Sequence, residues 1–181
     1  TGKGATQRIL FREAAAIDPR GLDAVVPGPK HVLLRGPRDR AAAAIATLPP
    51  DPPHPAPREP VLLTAQWDGP DLQEVAKTAG LTQAQTVDLV LNATMTVAFC
   101  GFAPGFAYMT GLDERLHLAR RERPRPQVPA GSIAIAAGYC AVYPSGSPGG
   151  WHLIGRCDAL LFSVDREPPA LLSPGDQVRF V

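Results

Sequence analysis

The chain has 181 residues, enough for one ordinary domain or two small ones with a conventional hydrophobic core. Charged residues make up 19% of it, and Lys+Arg 18 against Asp+Glu 17 leaves a formal net charge of +1. No long-range field therefore favours nucleic acid or an acidic membrane surface. Pro 21 and Gly 17 together fall below the level typical of low-complexity disorder, so composition predicts a turn-rich, folded, mostly β protein.

The first third has a pattern of its own. Strands are predicted at residues 23–27 and 31–35, and a helix from Pro37 to Leu48, because proline suits a first helical turn and four alanines follow. Residues 49–60 then carry seven prolines in twelve positions, which makes a stiff, extended spacer. We therefore expect a small domain over residues 1–58 and a larger one over 59–181.

Two capped helices are predicted after the spacer and a strand at residues 61–66. Asp71 with Glu74, and Thr82 with Gln85, have the spacing of a capping box, in which the first side chain caps the helix and the second reaches back. Each is expected to open a helix of about three turns with one apolar face.

From there on, short apolar runs alternate with Gly, Pro, Ser and Asp. They favour many short strands in a closed barrel or sandwich over alternating βα units. The predicted strands are 96–100, 132–136, 139–143, 151–155, 159–164 and 177–181, with a turn at 173–176.

Cysteine and histidine usage points to no metal site and no disulfide framework. Cys100, Cys140 and Cys157 lie far apart in apolar runs and are interpreted as reduced core residues, and the histidines lack ligand-like spacing. The sequence shows neither a leader nor an apolar stretch of membrane-spanning length, so a cytoplasmic protein is expected.

Three segments depart from plain strand and turn. Residues 99–108 interleave glycine and proline with four aromatic residues, so they could hold a small planar or anionic ligand or could simply close the barrel. Residues 115–131 contain five arginines; a solvated loop explains most, but Arg125 lies between two prolines and could clamp an anion. Residues 143–156 offer Gly149–Gly150, serine hydroxyls and Trp151, which suit an anion-binding nest or a hairpin turn.

Together these segments resemble the Kip inhibitor and allophanate hydrolase subunit 1 family, whose members are described as the B component of a bacterial ATP-dependent 5-oxoprolinase. The resemblance runs in order over much of the chain. The matching stretches are 69–76, 101–106, 124–132, 143–156 and 168–180.

The resemblance implies an α+β, mainly β protein with two parts. The first is a small N-terminal α/β domain, ferredoxin-like and open to a shortened form, and the second is a C-terminal cyclophilin-like β-barrel. It also implies a hydrolase complex that opens 5-oxoproline to glutamate. In that complex the chain would work with a pseudo-symmetric C component and an A component of the 5-oxoprolinase, on a small amide substrate. ATP with Mg would be bound within the complex and not by a phosphate loop of this chain.

Site residues carried over by position fall into two groups. The expected catalytic residues are Arg125, Ser147 and Arg156. The expected substrate-binding residues are Phe102, Pro104, Gly105, Phe106, Ser132, Gly149, Gly150 and Trp151. No metal ligand is expected.

Two other functions follow from the same resemblance. A barrel with an exposed aromatic loop could be a regulatory module that inhibits a histidine kinase, which predicts stoichiometric binding without turnover. The likeness to the carboxyltransferase domain of urea carboxylase allows a role in allophanate hydrolysis or carboxyl transfer. Carboxyl transfer would need a biotinylated partner because no Met-Lys biotinyl site is present.

Overall fold

The computed structural model describes residues 17–18, 20–27, 32–47 and 59–181 and is mainly β. The described strands are β1 (Ala24–Pro27), β2 (Val32–Arg35), β3 (Val61–Leu63), β4 (Ala65–Gln66), β5 (Met95–Cys100), β6 (Ala107–Thr110), β7 (Arg125–Val128), β8 (Ser132–Ala136), β9 (Tyr139–Val142), β10 (Ser147–Gly149), β11 (His152–Cys157) and β12 (Gln177–Phe180). The described helices are α1 (Arg38–Ala46), α2 (Leu72–Thr78) and α3 (Gln83–Leu91), with a 3₁₀ turn at Glu114–Leu116.

The N-terminal part holds one hairpin and one helix among its described residues. β1 and β2 pair antiparallel, and α1 follows over the alanine run as predicted. A ferredoxin-like arrangement is not confirmed by these elements. Most of the proline-rich spacer, and with it the expected boundary at residue 58, lies outside the described residues.

Eight strands form a barrel-like sheet in the order β3-β12-β5-β6-β9-β8-β11-β4. Its two end strands, β3 and β4, are separated by Thr64 alone. β3 pairs parallel with β12 and β4 pairs antiparallel with β11, so one short segment takes part in both ends of the sheet. The sheet is therefore nearly closed, and the expected barrel is confirmed at this level.

The two faces of the sheet differ in side-chain size. On β8, Ile133 and Ile135 join a core to which all eight strands and both central helices contribute, so this is the inner face. Ala134 and Ala136 point the other way and join a second cluster on the outer face. Side chains alternate along a strand, which is why one sequence run serves both clusters.

Helices α2 and α3 bury the predicted apolar faces against the inner core. The capping box at Thr82 is confirmed: Gln85 N–H donates to Thr82 Oγ1 at 3.1 Å, and Thr82 N–H donates to Gln85 Oε1 at 2.9 Å. The matching prediction for Asp71 was wrong. Its side chain makes no capping hydrogen bond, and α2 spans 7 residues, about two turns.

Several strand predictions also need correction. Residues 159–164 form no strand and contribute only an isolated bridge between Phe162 and Ala170, because Arg166 instead takes up the backbone carbonyls of Leu160 and Leu161. β7 and β10, predicted as loop, pair antiparallel in a two-stranded ribbon.

The three cysteines are free; Cys140 and Cys157 are buried and Cys100 is half-buried. Burial raises the pKa of Cys140 to about 12 and that of Cys100 to about 11, which keeps both as thiols. Among the described residues, no helix is long and apolar enough to cross a bilayer.

Candidate functional site

An aromatic cluster covers the outer face of the barrel. Ala134, Ala136 and Ala141 leave room above β8 and β9, and aromatic rings fill it. We call the set of seven rings the aromatic face; it comprises Phe99, Phe102, Phe106, Tyr108, Tyr139, Tyr143 and Trp151. Phe106 lies at its centre, with edge-on contacts to Phe102, Tyr143 and Trp151 at centroid distances of 5.0, 5.2 and 5.9 Å.

Phe102 presents the aromatic face to solvent. It is 62% exposed, and its φ of 71° lies in the left-handed region that a bulky side chain rarely adopts. Gly105 also has a positive φ, and a Cβ there would come within 3.0 Å of the Leu161 carbonyl oxygen. The loop that holds Pro104 and Gly105 therefore keeps Phe102 at the surface while Phe106 stays buried.

The β7–β10 ribbon lies beside the aromatic face. Val128 of β7 packs into the outer cluster, and its pairing partner Ser147 has a buried Oγ with no hydrogen-bond partner among the described residues. Gly149 lies against the Tyr143 hydroxyl, where a Cβ would clash. The ribbon thus needs glycine at residue 149 to approach the rings.

A second contact joins the arginine-rich segment to β11. Arg121 N–H donates to the Gly150 carbonyl at 2.8 Å, and His152 Nε2 lies 2.9 Å from the Ala119 carbonyl oxygen. Residues 119–121 therefore run alongside residues 150–152, which brings Arg121 and Gly150 to the edge of the aromatic face.

Asp71 and two arginines form a buried cluster at the start of α2. Arg125 Nη2 donates to Asp71 Oδ1 at 2.6 Å, and Arg121 Nη1 donates to the same oxygen at 3.0 Å. The backbone N–H of Leu153 donates to Asp71 Oδ2 at 2.7 Å. The side chain of Asp71 is 4% exposed, and those of Arg125 and Arg121 are 24% and 28% exposed.

The charges of this cluster favour an ionised Asp71. Burial alone would raise its pKa, but the hydrogen bonds from Arg125 and Leu153 and the charges of both arginines outweigh burial, so the pKa lies below its ordinary value. Two guanidiniums against one carboxylate leave a positive charge. Glu74 contacts Arg121 at 3.4 Å, but its side chain is 64% exposed and solvent weakens its effect.

The phenols of the aromatic face stay protonated. Burial is the main cause that raises the pKa of Tyr108 and of Tyr143. Tyr139 adds to the increase at Tyr108, and Tyr108 adds to that at Tyr143, while the positive charge of Arg120 acts in the opposite direction on both. Neutral phenols and apolar rings beside guanidinium groups suit a small, planar, anionic molecule.

Two predicted site residues lie elsewhere. Ser132 Oγ donates to the Pro129 carbonyl at 2.8 Å, which fixes the turn before β8. Arg156 bonds to Gln66 and pairs with Asp68 at 3.1 Å; its side chain is 58% exposed. It lines a separate depression of about 300 Å³ together with Leu62, Thr64, Gln66, Asp158 and Ala159.

The other predicted residues come together around the aromatic face and the ribbon: Phe102, Pro104, Gly105, Phe106, Arg125, Ser147, Gly149, Gly150 and Trp151. Sequence reasoning missed Asp71, Arg121 and the three tyrosines. The signal for Asp71 was Gly69 two residues earlier, because a Cβ there would run into the backbone of Ile154 and Gly155. In the described part of the chain, no group of three His, Cys, Asp or Glu side chains could hold a metal ion.

Comparison with known proteins gives two curated relatives, each of them the B subunit of a 5-oxoprolinase. The chain is 50% identical over 113 residues to the relative from Escherichia coli, covering 62% of this chain and 52% of the relative. It is 45% identical over 113 residues to the relative from Bacillus subtilis, covering 62% of this chain and 47% of the relative. The chain thus spans about half the length of the curated relatives it matches.

A solved structure supports the fold, and a family model fixes the family. The crystal structure of TTHA0988 superposes with a TM-score of 0.84 at 33% identity, over 100% of this chain and 38% of that one. The family model described as carboxyltransferase domain, subdomain C and D, matches residues 7–172. The resemblance inferred from the motifs is thereby confirmed, and the chain belongs to the carboxyltransferase domain, subdomain C and D, family.

Proposed function

We propose that this chain acts as the B subunit of an ATP-dependent 5-oxoprolinase, a complex that opens the lactam ring of 5-oxoproline to glutamate. The observation that carries the proposal is the identity of 45–50% to two curated 5-oxoprolinase B subunits over 113 residues. Those residues make up 62% of this chain.

In this proposal the aromatic face and the ribbon form the chain's contribution to the substrate site. Phe102 and Phe106 flank the planar lactam, and Arg125 and Ser147 provide N–H and O–H donors beside it. In the reaction the lactam C–N bond breaks, water supplies the oxygen of the new carboxylate, and the ring nitrogen becomes the amine. Donors held in advance near the lactam oxygen stabilise the negative charge that develops there.

ATP hydrolysis supplies the driving force, and we assign the nucleotide to the assembled complex. The described residues do not fit it well on their own: they lack a glycine-rich phosphate loop with a lysine, and Arg121 and Arg125 are already engaged by Asp71. Partners equivalent to the C and A components complete the proposal. A ferredoxin-like N-terminal domain, a cyclophilin-like barrel and a cytoplasmic location are its finer parts.

Reconstitution from purified proteins tests the proposal. This chain is mixed with its genomic neighbours, ATP, Mg and 5-oxoproline, and glutamate release is measured with each protein left out in turn. We expect release to vanish without this chain. Arg125→Ala should reduce turnover by about a hundredfold with assembly intact, as removal of a preorganised donor does elsewhere.

Arg115→Ala is the matched control, because Arg115 is exposed and its ion-pair partner among the described residues is its neighbour Asp113. It should leave turnover unchanged, and Arg156→Ala tests the separate role expected of Arg156. Glutamate release that continues without this chain would contradict the proposal. A complex that assembles fully but does not turn over would favour kinase regulation or another amide substrate.

A further inference from the structure

Arg125 is held from one side only. Its Nη2 donates to Asp71, whereas its Nη1 is buried without a hydrogen-bond partner among the described residues. A buried donor left unpaired is unfavourable, and a guanidinium is shaped to pair its two terminal nitrogens with acceptors. Arg121 repeats the arrangement, with Nη1 on Asp71 and a buried, unpaired Nε.

Asp71 has the properties of an anchor for these arginines. It occupies the position before the first residue of α2, where an aspartate ordinarily caps the helix, yet it makes no capping hydrogen bond. Both its oxygens are used elsewhere: Oδ1 accepts from the two arginines and Oδ2 accepts from Leu153 N–H. Because Leu153 belongs to the outer cluster, this bond ties Asp71 to the strand under the aromatic face.

The unpaired nitrogen of Arg125 belongs to a residue beside the rings. Arg125 pairs across the ribbon with Gly149, and Gly149 lies against the Tyr143 hydroxyl. The buried part of the cluster carries one surplus positive charge, since two guanidiniums face one carboxylate. A second carboxylate, brought by a ligand, would satisfy both the charge and the free N–H groups.

We propose that Asp71 is a positioning residue that holds the Arg125 guanidinium so that Nη1 receives the carboxylate of a small lactam ligand. This inference rests on the proposed function and deepens it, because it assigns recognition of the substrate's carboxylate to Arg125 and its orientation to Asp71. The lactam ring then lies against the aromatic face.

The test measures ligand preference in the reconstituted complex without ATP, by isothermal titration calorimetry. The two probes are 5-oxoproline and 2-pyrrolidinone, which has the same lactam ring and no carboxylate. We expect the wild-type complex to prefer 5-oxoproline by at least tenfold. Asp71→Asn and Arg125→Ala should each abolish the preference, and the double variant should lose nothing more.

Glu74→Gln is the matched control, since Glu74 contacts Arg121 from solvent and does not touch Arg125. It should keep the preference. If Asp71→Asn does not assemble, Arg125→Lys decides the question: a lysine held by Asp71 has no second nitrogen to offer, so its preference should also be lost.

Three results would overturn the inference: no preference in the wild type, a preference that survives Arg125→Ala, or one that survives Asp71→Asn. Glutamate release is measured on the same samples to separate this inference from the proposed function. A wild-type complex with the preference but without glutamate release contradicts the function and supports the inference. Glutamate release without the preference does the reverse.

Discussion

Asp71 connects three segments that are distant in sequence. It begins α2, accepts the Leu153 N–H of β11, and binds Arg121 and Arg125 in and before β7. Removing one partner from a buried charge network leaves the remaining charges unsatisfied, which is more costly than the net contribution of the pair. Asp71 is therefore important for local stability as well as for the orientation of Arg125.

The depressed pKa of Asp71 predicts a pH-dependent contribution to stability. Its folded pKa lies below the ordinary 3.8, so at low pH the unfolded chain binds the proton more readily than the folded one. The contribution is complete above about pH 5 and declines as the pH falls through the folded pKa. Asp71→Asn should lower the free energy of unfolding at neutral pH by about 1–3 kcal/mol, and by less in acid.

Urea unfolding of both proteins between neutral and acidic pH checks this prediction. Asp113→Asn is the control, because Asp113 also has a depressed pKa of about 2 but lies at the surface beside Arg115. Its loss should change stability far less at neutral pH. A difference between wild type and Asp71→Asn that grows on acidification would contradict the assignment.

The aromatic and glycine residues of the site could be anticipated from sequence, but their partners could not. Phe102, Phe106 and Gly149 lie in segments where glycine or proline interrupts an apolar run, which is a local signal. Asp71 and Arg125 are 54 residues apart, and their pairing depends on how the strands fold together. The capping-box spacing at Asp71 was misleading because the tertiary ion pair competes with the local hydrogen bond.

At the level of secondary structure, the β7–β10 ribbon determines how closely the chain approaches the rings. Pro126 and Pro148 each lack an N–H, so neither strand suits the middle of a sheet, and within the described part of the chain the two strands pair with each other alone. This is also why sequence reasoning predicted loops here. The ribbon forms because Val128 is buried in the outer cluster.

Two neighbouring glycines of this ribbon provide a matched pair of variants. In Gly149→Ala the new Cβ would overlap the Tyr143 hydroxyl and lie 3.1 Å from Val128 Cγ2, in a closely packed region. In Gly150→Ala the nearest atoms lie at 3.7 Å, an ordinary contact. We expect Gly149→Ala to lower the free energy of unfolding by about 1–3 kcal/mol and Gly150→Ala to change it little.

Urea denaturation with circular dichroism measures both variants. Equal effects of the two substitutions would show that the close approach of Gly149 to Tyr143 does not constrain the ribbon. A larger effect of Gly150→Ala would contradict the packing described for this edge of the aromatic face.

Strands with a strong alternating or apolar pattern were predicted within one or two residues, as for β8 and β12. The failure at residues 159–164 has a physical cause. Arg166 donates to the carbonyls of Leu160 and Leu161, so these groups are satisfied without a neighbouring strand. An apolar run alone does not reveal such competition.

For the whole molecule, the barrel separates a structural face from a candidate functional one. Large aliphatic residues fill the inner face, whereas alanines on the outer face leave space for seven rings and the adjoining arginines. The two tryptophans lie in these two environments: Trp67 packs edge-on against Phe180 with the inner core, and Trp151 packs against Phe106 and Tyr108 on the outer face.

This separation allows a direct test of the central claim, that the aromatic face binds the substrate. The chain, which contains only these two tryptophans, is labelled with 5-fluorotryptophan and assembled with unlabelled partner proteins. Fluorine NMR is then recorded while 5-oxoproline is added. The account predicts a saturable shift of the Trp151 signal with the Trp67 signal unchanged; glutamate release from 5-oxoproline with no shift of Trp151 would contradict it.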